Sequence, residues 1–264
     1  MITYNPIADL SSFIPPIAMQ IYIVAMVILV IGGTILDTLH KKSAKYFFAS
    51  AREAEARARR PLGSAEKVSI AVKTALHDVA ASGEFCNTRR RVAHLLTMYG
   101  FIFFVLATAV LVFAYPTPQT PAPAYVPLLW HLGALMVCIG GYWFWFRIRV
   151  DVAAEGHPWY RVVRADLFIL SLLATNTFAL IWSVLQWAGA GTWATAFFWL
   201  FVLSATVLFG TVLWSKFAHM FFKPAAAYQR RVAEANGYLD DLPPPADEPA
   251  QYGLGINREL PRHY

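Results

Sequence analysis

The sequence predicts an all-α integral membrane protein of five transmembrane helices, and two observations carry that prediction. Apolar residues make up 58% of the 264 residues and charged ones only 14%, where a soluble domain carries about a quarter charged. The apolar residues are gathered into five runs, each near the roughly 20 residues that cross a bilayer core of about 30 Å. This composition excludes an ordinary cytosolic enzyme, a disordered chain and a disulfide scaffold. With two cysteines, Cys86 and Cys138, no four-cysteine metal site or iron-sulfur cluster is expected on this chain.

Residues 1–15 lack a basic n-region, so the first run reads as a retained span and no signal peptide is expected. Transmembrane helix one covers 16–39, a hydrophilic loop follows over 40–93, and helix two covers 94–115. A Pro-rich connection over 116–125 reads as extended. Helix three is expected over 126–148 and helix four over 165–188, joined by 149–164; 189–192 leads to helix five, 193–223, and a tail occupies 224–264. The fifth apolar run, Trp193 to Phe222, is 30 residues long. As one helix it would measure about 45 Å, so it is expected to tilt or to project beyond the membrane.

The loop over 40–93 holds two Ala-rich segments of mixed charge, Lys41–Arg60 and Ala65–Ala81, both of which favour helix. They read either as solvated helices along the membrane face or as a docking surface for a partner. Beyond Tyr228 the chain turns polar, and DDLPPPADEPAQYGLG reads as a tail ordered by a partner. No internal repeat stands out, which weakens an inverted-repeat transporter reading.

Basic residues set the expected orientation. Twelve Lys and Arg lie between His40 and Ala93, four more flank the third connection, and the remaining six lie from Lys216 to Arg262. The N-terminal segment and the loops after spans two and four carry none. The positive-inside rule therefore predicts an N-terminus outside and a cytoplasmic C-terminus. The net charge of +6 then reads as a topology signal and a contact with anionic membrane lipid, and no nucleic acid is expected as a partner.

The polar residues that remain near the spans narrow the chemistry. The central parts of spans two to five hold no Asp, Glu, Lys or Arg, which disfavours an ion-coupled transporter. Asp37 and Asp166 lie near inner helix ends, where solvated or Arg-paired carboxylates are expected. Of seven histidines, His77, His157 and His263 fall in polar segments. His94 opens span two and His219 closes span five, so both imidazoles are expected near the inner face. Two neutral imidazoles across a helix bundle are the usual protein contribution to a six-coordinate b-type haem; an interfacial histidine can also simply bond a headgroup. Arg90 and Arg91 precede His94 by four and three positions and Lys216 precedes His219 by three, where cations could pair with haem propionates or serve as positive-inside anchors.

Several of these segments resemble a known family. RRRVAHLLTMYGF around His94, WHLGALMVCIGGYWFWFRIRVDVAAEG, VVRADLFILSLLA and WSKFAHMFFKPAAAYQRR around His219 are similar to the cytochrome b subunits of the respiratory nitrate reductase type. Within that group they most resemble the membrane anchors of dissimilatory adenylylsulfate reductase, related to the C-terminal region of the quinone-interacting oxidoreductase anchors and to the membrane subunit of heterodisulfide reductase. In the second ligand segment the family pattern places Pro five positions after the histidine, then an aromatic residue and paired basics, here Pro224, Tyr228, Arg230 and Arg231. The resemblance covers spans two to five, about half of the chain, and implies haem ligation by His94 and His219. Two-haem members carry a further histidine deeper in each helix; Phe104, ten positions after His94, and Phe201, eighteen before His219, stand there instead. One haem b is therefore expected, with aromatic side chains filling the outer space.

The resemblance implies a b-type cytochrome of the bacterial cytoplasmic (inner) membrane. It would anchor a cytoplasmic flavin and iron-sulfur oxidoreductase, adenylylsulfate reductase, and exchange electrons with the quinone pool in sulfite oxidation. Catalysis by this chain would go no further than electron transfer and quinone protonation. Candidate groups near quinone are Asp37, His40, Asp166 and Arg164 at inner helix ends. His131, in the outer half of span three, reads as a hydrogen-bonded packing residue or as a quinone donor. A haem-free structural anchor that tethers a soluble redox enzyme is the alternative reading.

Overall fold

The computed structural model describes residues 1–40, 42–83, 85, 87–151, 156–215, 217 and 219–238. Every regular element among them is helical: α1 (Pro6–Leu10), α2 (Pro16–His40), α3 (Ser43–Ala56), α4 (Ser64–Lys73), α5 (Thr88–Ala114), α6 (Tyr125–Trp143), α7 (Leu167–Trp187), α8 (Gly191–Gly210) and α9 (His219–Asn236). A π-helical turn over Thr74–Ala80 extends α4, another over Phe144–Ile148 extends α6, and a 3-10 turn over Arg164–Asp166 leads into α7. Five of these helices, α2 and α5 to α8 with their extensions, are long and apolar enough to cross a membrane. The chain is a multi-pass membrane protein in outline. It divides into two compact units, Met1–Asp37 with Val92–Ala218 and Thr38–Arg91 with His219–Tyr264.

In the first unit small residues let α5 and α6 approach backbone to backbone. A Cβ on Gly133 would stand 2.7 Å from the Gly100 carbonyl oxygen and 2.6 Å from the Phe104 nitrogen, and one on Gly140 would meet the Ala93 carbonyl at 2.6 Å. Such small-residue seams replace the hydrophobic driving force that lipid-embedded helices lack. Helix α7 packs along both α6 and α8. The Tyr22 hydroxyl ties α2 to α8, donating to the Val202 carbonyl at 3.1 Å.

The fifth apolar run is not one helix. α8 ends at Gly210, Thr211–Trp214 form turns, and a new helix starts at His219. The break is stabilised by Phe217, only 2% exposed. Its ring meets Phe168 and Phe209 edge-on, with centroids at 5.5 and 6.0 Å. His219 therefore opens α9 rather than closing the fifth span, and the tail begins as an ordered helix that runs to Asn236.

The second unit contains the helices expected within Lys41–Arg60 and Ala65–Ala81, now α3 and α4 with its π turn, packed on α9. Arg231 of α9 holds Asp78 of the π turn with two bonds, Nε to Oδ2 at 2.5 Å and an Nη to Oδ1 at 2.7 Å. Asn236 closes the other end: its side-chain amide donates to the Ala54 carbonyl, while its own carbonyl accepts from the amides of Arg59 and Arg60. Lys41, Lys216 and the tail segment 239–264 lie outside the described residues.

Candidate functional site

The start of α5 and the start of α9 meet in the second unit. Asn87 accepts from the amides of Arg89 and Arg90 and so caps α5. The guanidinium of Arg90 lies 5.6 Å from the Phe85 ring centroid, and the ammonium of Lys223 lies 5.2 Å from the same centroid. Each cation–π contact contributes about 0.5–1 kcal/mol at an exposed site. Two cations thus lie over one ring, beside the N-terminal ends of two helices.

Arg90 precedes His94 by four residues on α5, and Lys223 follows His219 by four on α9, so each imidazole shares a helical face with one of the two cations. His94 and His219 are both half-buried. Arg91 is engaged otherwise, its Nε donating to the Ala81 carbonyl at 2.8 Å. Lys223 was not among the residues singled out from sequence. Its four-residue spacing from His219, matching that of Arg90 from His94, is the signal that identifies it.

In the first unit Phe104 of α5 and Phe201 of α8 come together. The rings of Phe104 and Phe201 meet edge-on at 6.3 Å. Trp130 lies 5.1 Å from Phe104, and Trp182 stacks on Phe201 at 5.6 Å. Aromatic side chains thus fill that space. His131 is part of the same core: its Nδ1 lies 2.8 Å from the Pro127 carbonyl and its Nε2 2.8 Å from the Ser183 hydroxyl. A carbonyl can only accept, so Nδ1 carries the proton and Nε2 accepts from Ser183.

Helix α1 sits over this aromatic core. Its cap Asn5 accepts from the amides of Ile7 and Ala8 and donates to the Tyr115 carbonyl at 3.0 Å, while Gln186 donates to the Pro6 carbonyl at 2.9 Å. Ile7 and Leu10 are buried. Tyr4 bonds Asp9, and burial together with that carboxylate pushes the Tyr4 hydroxyl above its ordinary range.

The inner-end candidates separate into two groups. Asp166 is paired with Arg149, an Nη lying 2.5 Å from Oδ2, and it also accepts from the Val163 amide at 2.9 Å. Arg164, the neighbour chosen from sequence, is instead exposed. Asp37 is buried near the end of α2, and His40, the last residue of that helix, is exposed. Comparison of the chain with protein-family models, with curated proteins and with solved structures gives no match.

Proposed function

We propose that the chain is a single-haem b-type cytochrome that anchors a cytoplasmic flavin and iron-sulfur oxidoreductase to the bacterial inner membrane and links it to the quinone pool. The observation that carries this reading is the convergence of Arg90 and Lys223 on Phe85, each cation four residues from one of the two histidines. The donor chemistry fits: two neutral imidazoles form the ligand set of a low-spin six-coordinate haem iron. Arg90 and Lys223 are suited to hold the carboxylate side chains of the macrocycle. When bound, the haem supplies one-electron transfer. His94 and His219 would hold it.

The family resemblance names the partner as adenylylsulfate reductase. The distribution of Lys and Arg supports an outside N-terminus, with the loop over 40–93, the connection over 149–164 and the tail in the cytoplasm. Asp37 and His40 are the groups proposed to pass protons to or from quinone, from their place at the end of α2, whose last residue is His40.

A reduced-minus-oxidised spectrum with haem quantification tests the reading. The purified chain is expected to hold one low-spin b haem, and His94→Ala or His219→Ala to abolish the low-spin signal. A haem-free preparation from a haem-replete host would favour the structural-anchor alternative, and two haems per chain would refute the single-haem assignment.

A further inference from the structure

The connection between α6 and α7 is built around one buried cation. Arg149 is 1% exposed. Its Nη1 donates to the Pro158 carbonyl at 3.0 Å, its Nη2 to the Arg161 carbonyl at 2.7 Å and to Asp166 at 2.5 Å, and the guanidinium lies 4.2 Å from the Trp145 ring centroid. The backbone of Arg149 also accepts from the His157 amide at 3.0 Å. Gly156 takes the left-handed conformation, φ +65°, that a side chain disfavours, and its amide donates to the Asp151 carbonyl at 2.9 Å. Residues 156–161 of this loop are held in place by these bonds.

What it presents is unusual for a loop held so firmly. Trp159 and Tyr160 are 57% and 71% exposed, followed by the exposed Val162 and Val163. Arg161, Arg164 and, on the adjoining π turn, Arg147 are exposed beside them, and residues 156–165 contain no acid. Trp159 is set against Phe146 at 6.3 Å and against Tyr160 at 5.8 Å.

We propose that His157–Arg164 is a preformed docking element for an acidic, pocketed face of the soluble partner enzyme, with Trp159 and Tyr160 as its anchors. The proposal rests on the partner reading above and names the surface that performs it. Trp, Tyr and Arg are the residue types that concentrate binding energy at interfaces, and the cationic tip is complementary to an acidic face. Exposed Trp and Tyr also serve as interfacial membrane anchors. Such anchors work on any backbone, because the side chain alone reaches the headgroups. Burying a guanidinium and a carboxylate to hold this backbone has a desolvation cost, and a fixed backbone is what a protein interface gains from, since less entropy is lost on binding.

The test uses the full chain in nanodiscs titrated with purified adenylylsulfate reductase from the same organism. Trp159→Ala with Tyr160→Ala is expected to weaken binding at least about tenfold, and Arg161→Glu with Arg164→Glu to slow association and flatten its salt dependence, with the thermal transition unmoved in both. Undiminished binding by both pairs overturns the docking element and leaves the partner reading standing; no binding by the unaltered chain overturns both. A spin label at Tyr160→Cys, with Cys86→Ser and Cys138→Ser, separates the membrane alternative. Without reductase the label is expected to contact an aqueous nickel reagent, and reductase is expected to shield it. A label accessible to oxygen but shielded from nickel in the bare nanodisc means the tip lies in lipid, and overturns the proposal.

Discussion

Asp166 shows how one contact redirects the meaning of a residue. From sequence it is an acid at an inner helix end, read both as a solvated or Arg-paired carboxylate and as a candidate proton carrier; in the fold it is the counter-ion that lets Arg149 be buried. Removing one partner of a buried pair leaves an uncompensated charge, at a cost of roughly 3–5 kcal/mol. Asp166→Ala is therefore expected to lower the thermal transition of the detergent-solubilised protein far more than Arg164→Ala, and equal effects would contradict the pairing. Asp78 carries a second, pH-dependent contribution. Hydrogen bonds from Arg231, aided by His77 and opposed by partial burial, hold its carboxyl down at about 2 from an ordinary value of 3.8. A carboxyl depressed in the folded state stabilises it fully above the unfolded value and ceases to do so as pH falls through the folded one. Hydrogen-exchange protection of α9 is thus expected to stay level from neutral pH to about 4 and to fall between there and about 2, a fall that Asp78→Asn removes by lowering protection throughout.

Helices were legible in the sequence wherever one signal ruled. Continuous hydropathy marked the spans, and Ala-rich mixed charge marked α3 and α4. The misreading of span five has a specific physical origin: residues 211–222 stay largely apolar, interrupted only by Thr211, Ser215, Lys216 and His219, so hydropathy marks no sharp boundary. The actual stop depends on Phe217 turning inward onto Phe168 and Phe209, a tertiary contact from α7 that no local pattern contains. Helix α1 was missed for a similar reason, since five residues make no periodic signal and its stability comes from Tyr115 and Gln186 at distant positions. Of the candidate site, the two histidines and Arg90 were legible from spacing, whereas Phe85, which gathers Arg90 and Lys223, is an ordinary aromatic until the helix starts are brought together. The α5–α6 seam was equally silent, because a glycine in an apolar run does not announce what it faces. Gly133→Ala would place a Cβ within 2.7 Å of two backbone atoms. It is expected to force the helices apart at a cost of about 1–3 kcal/mol, read as a lowered thermal transition, while Gly32→Ala, whose Cβ would meet nothing within 4 Å, should leave it unchanged or higher.

On the scale of the whole molecule, the two ends of the first unit differ in a way that bears on where quinone reacts. One end is closed: α1 lies over a core of Trp130, Trp182, Phe104 and Phe201, His131 has both nitrogens bonded, and this core contains no carboxylate or amine. The aromatic side chains of this core do not relay protons, and its histidine is engaged at both ring nitrogens. The other end of α2 carries the buried Asp37 and then the exposed His40, and the proposed topology puts them on the cytoplasmic side. On the proposed reading, in which His94 and His219 hold a single haem, the electron and the proton would meet quinone on the same side of the membrane, and turnover would move little net charge across it. Reconstituted with the reductase in liposomes of defined orientation, the complex is expected to show quinone-linked electron transfer with almost no membrane potential and with pH changes confined to the reductase-facing compartment. Asp37→Asn should slow that transfer several-fold and leave the haem spectrum unaltered. A potential equal to a full charge per electron would instead require a proton route through the aromatic end, and Ser183→Ala, which frees Nε2 of His131, would then be the variant that changes the rate.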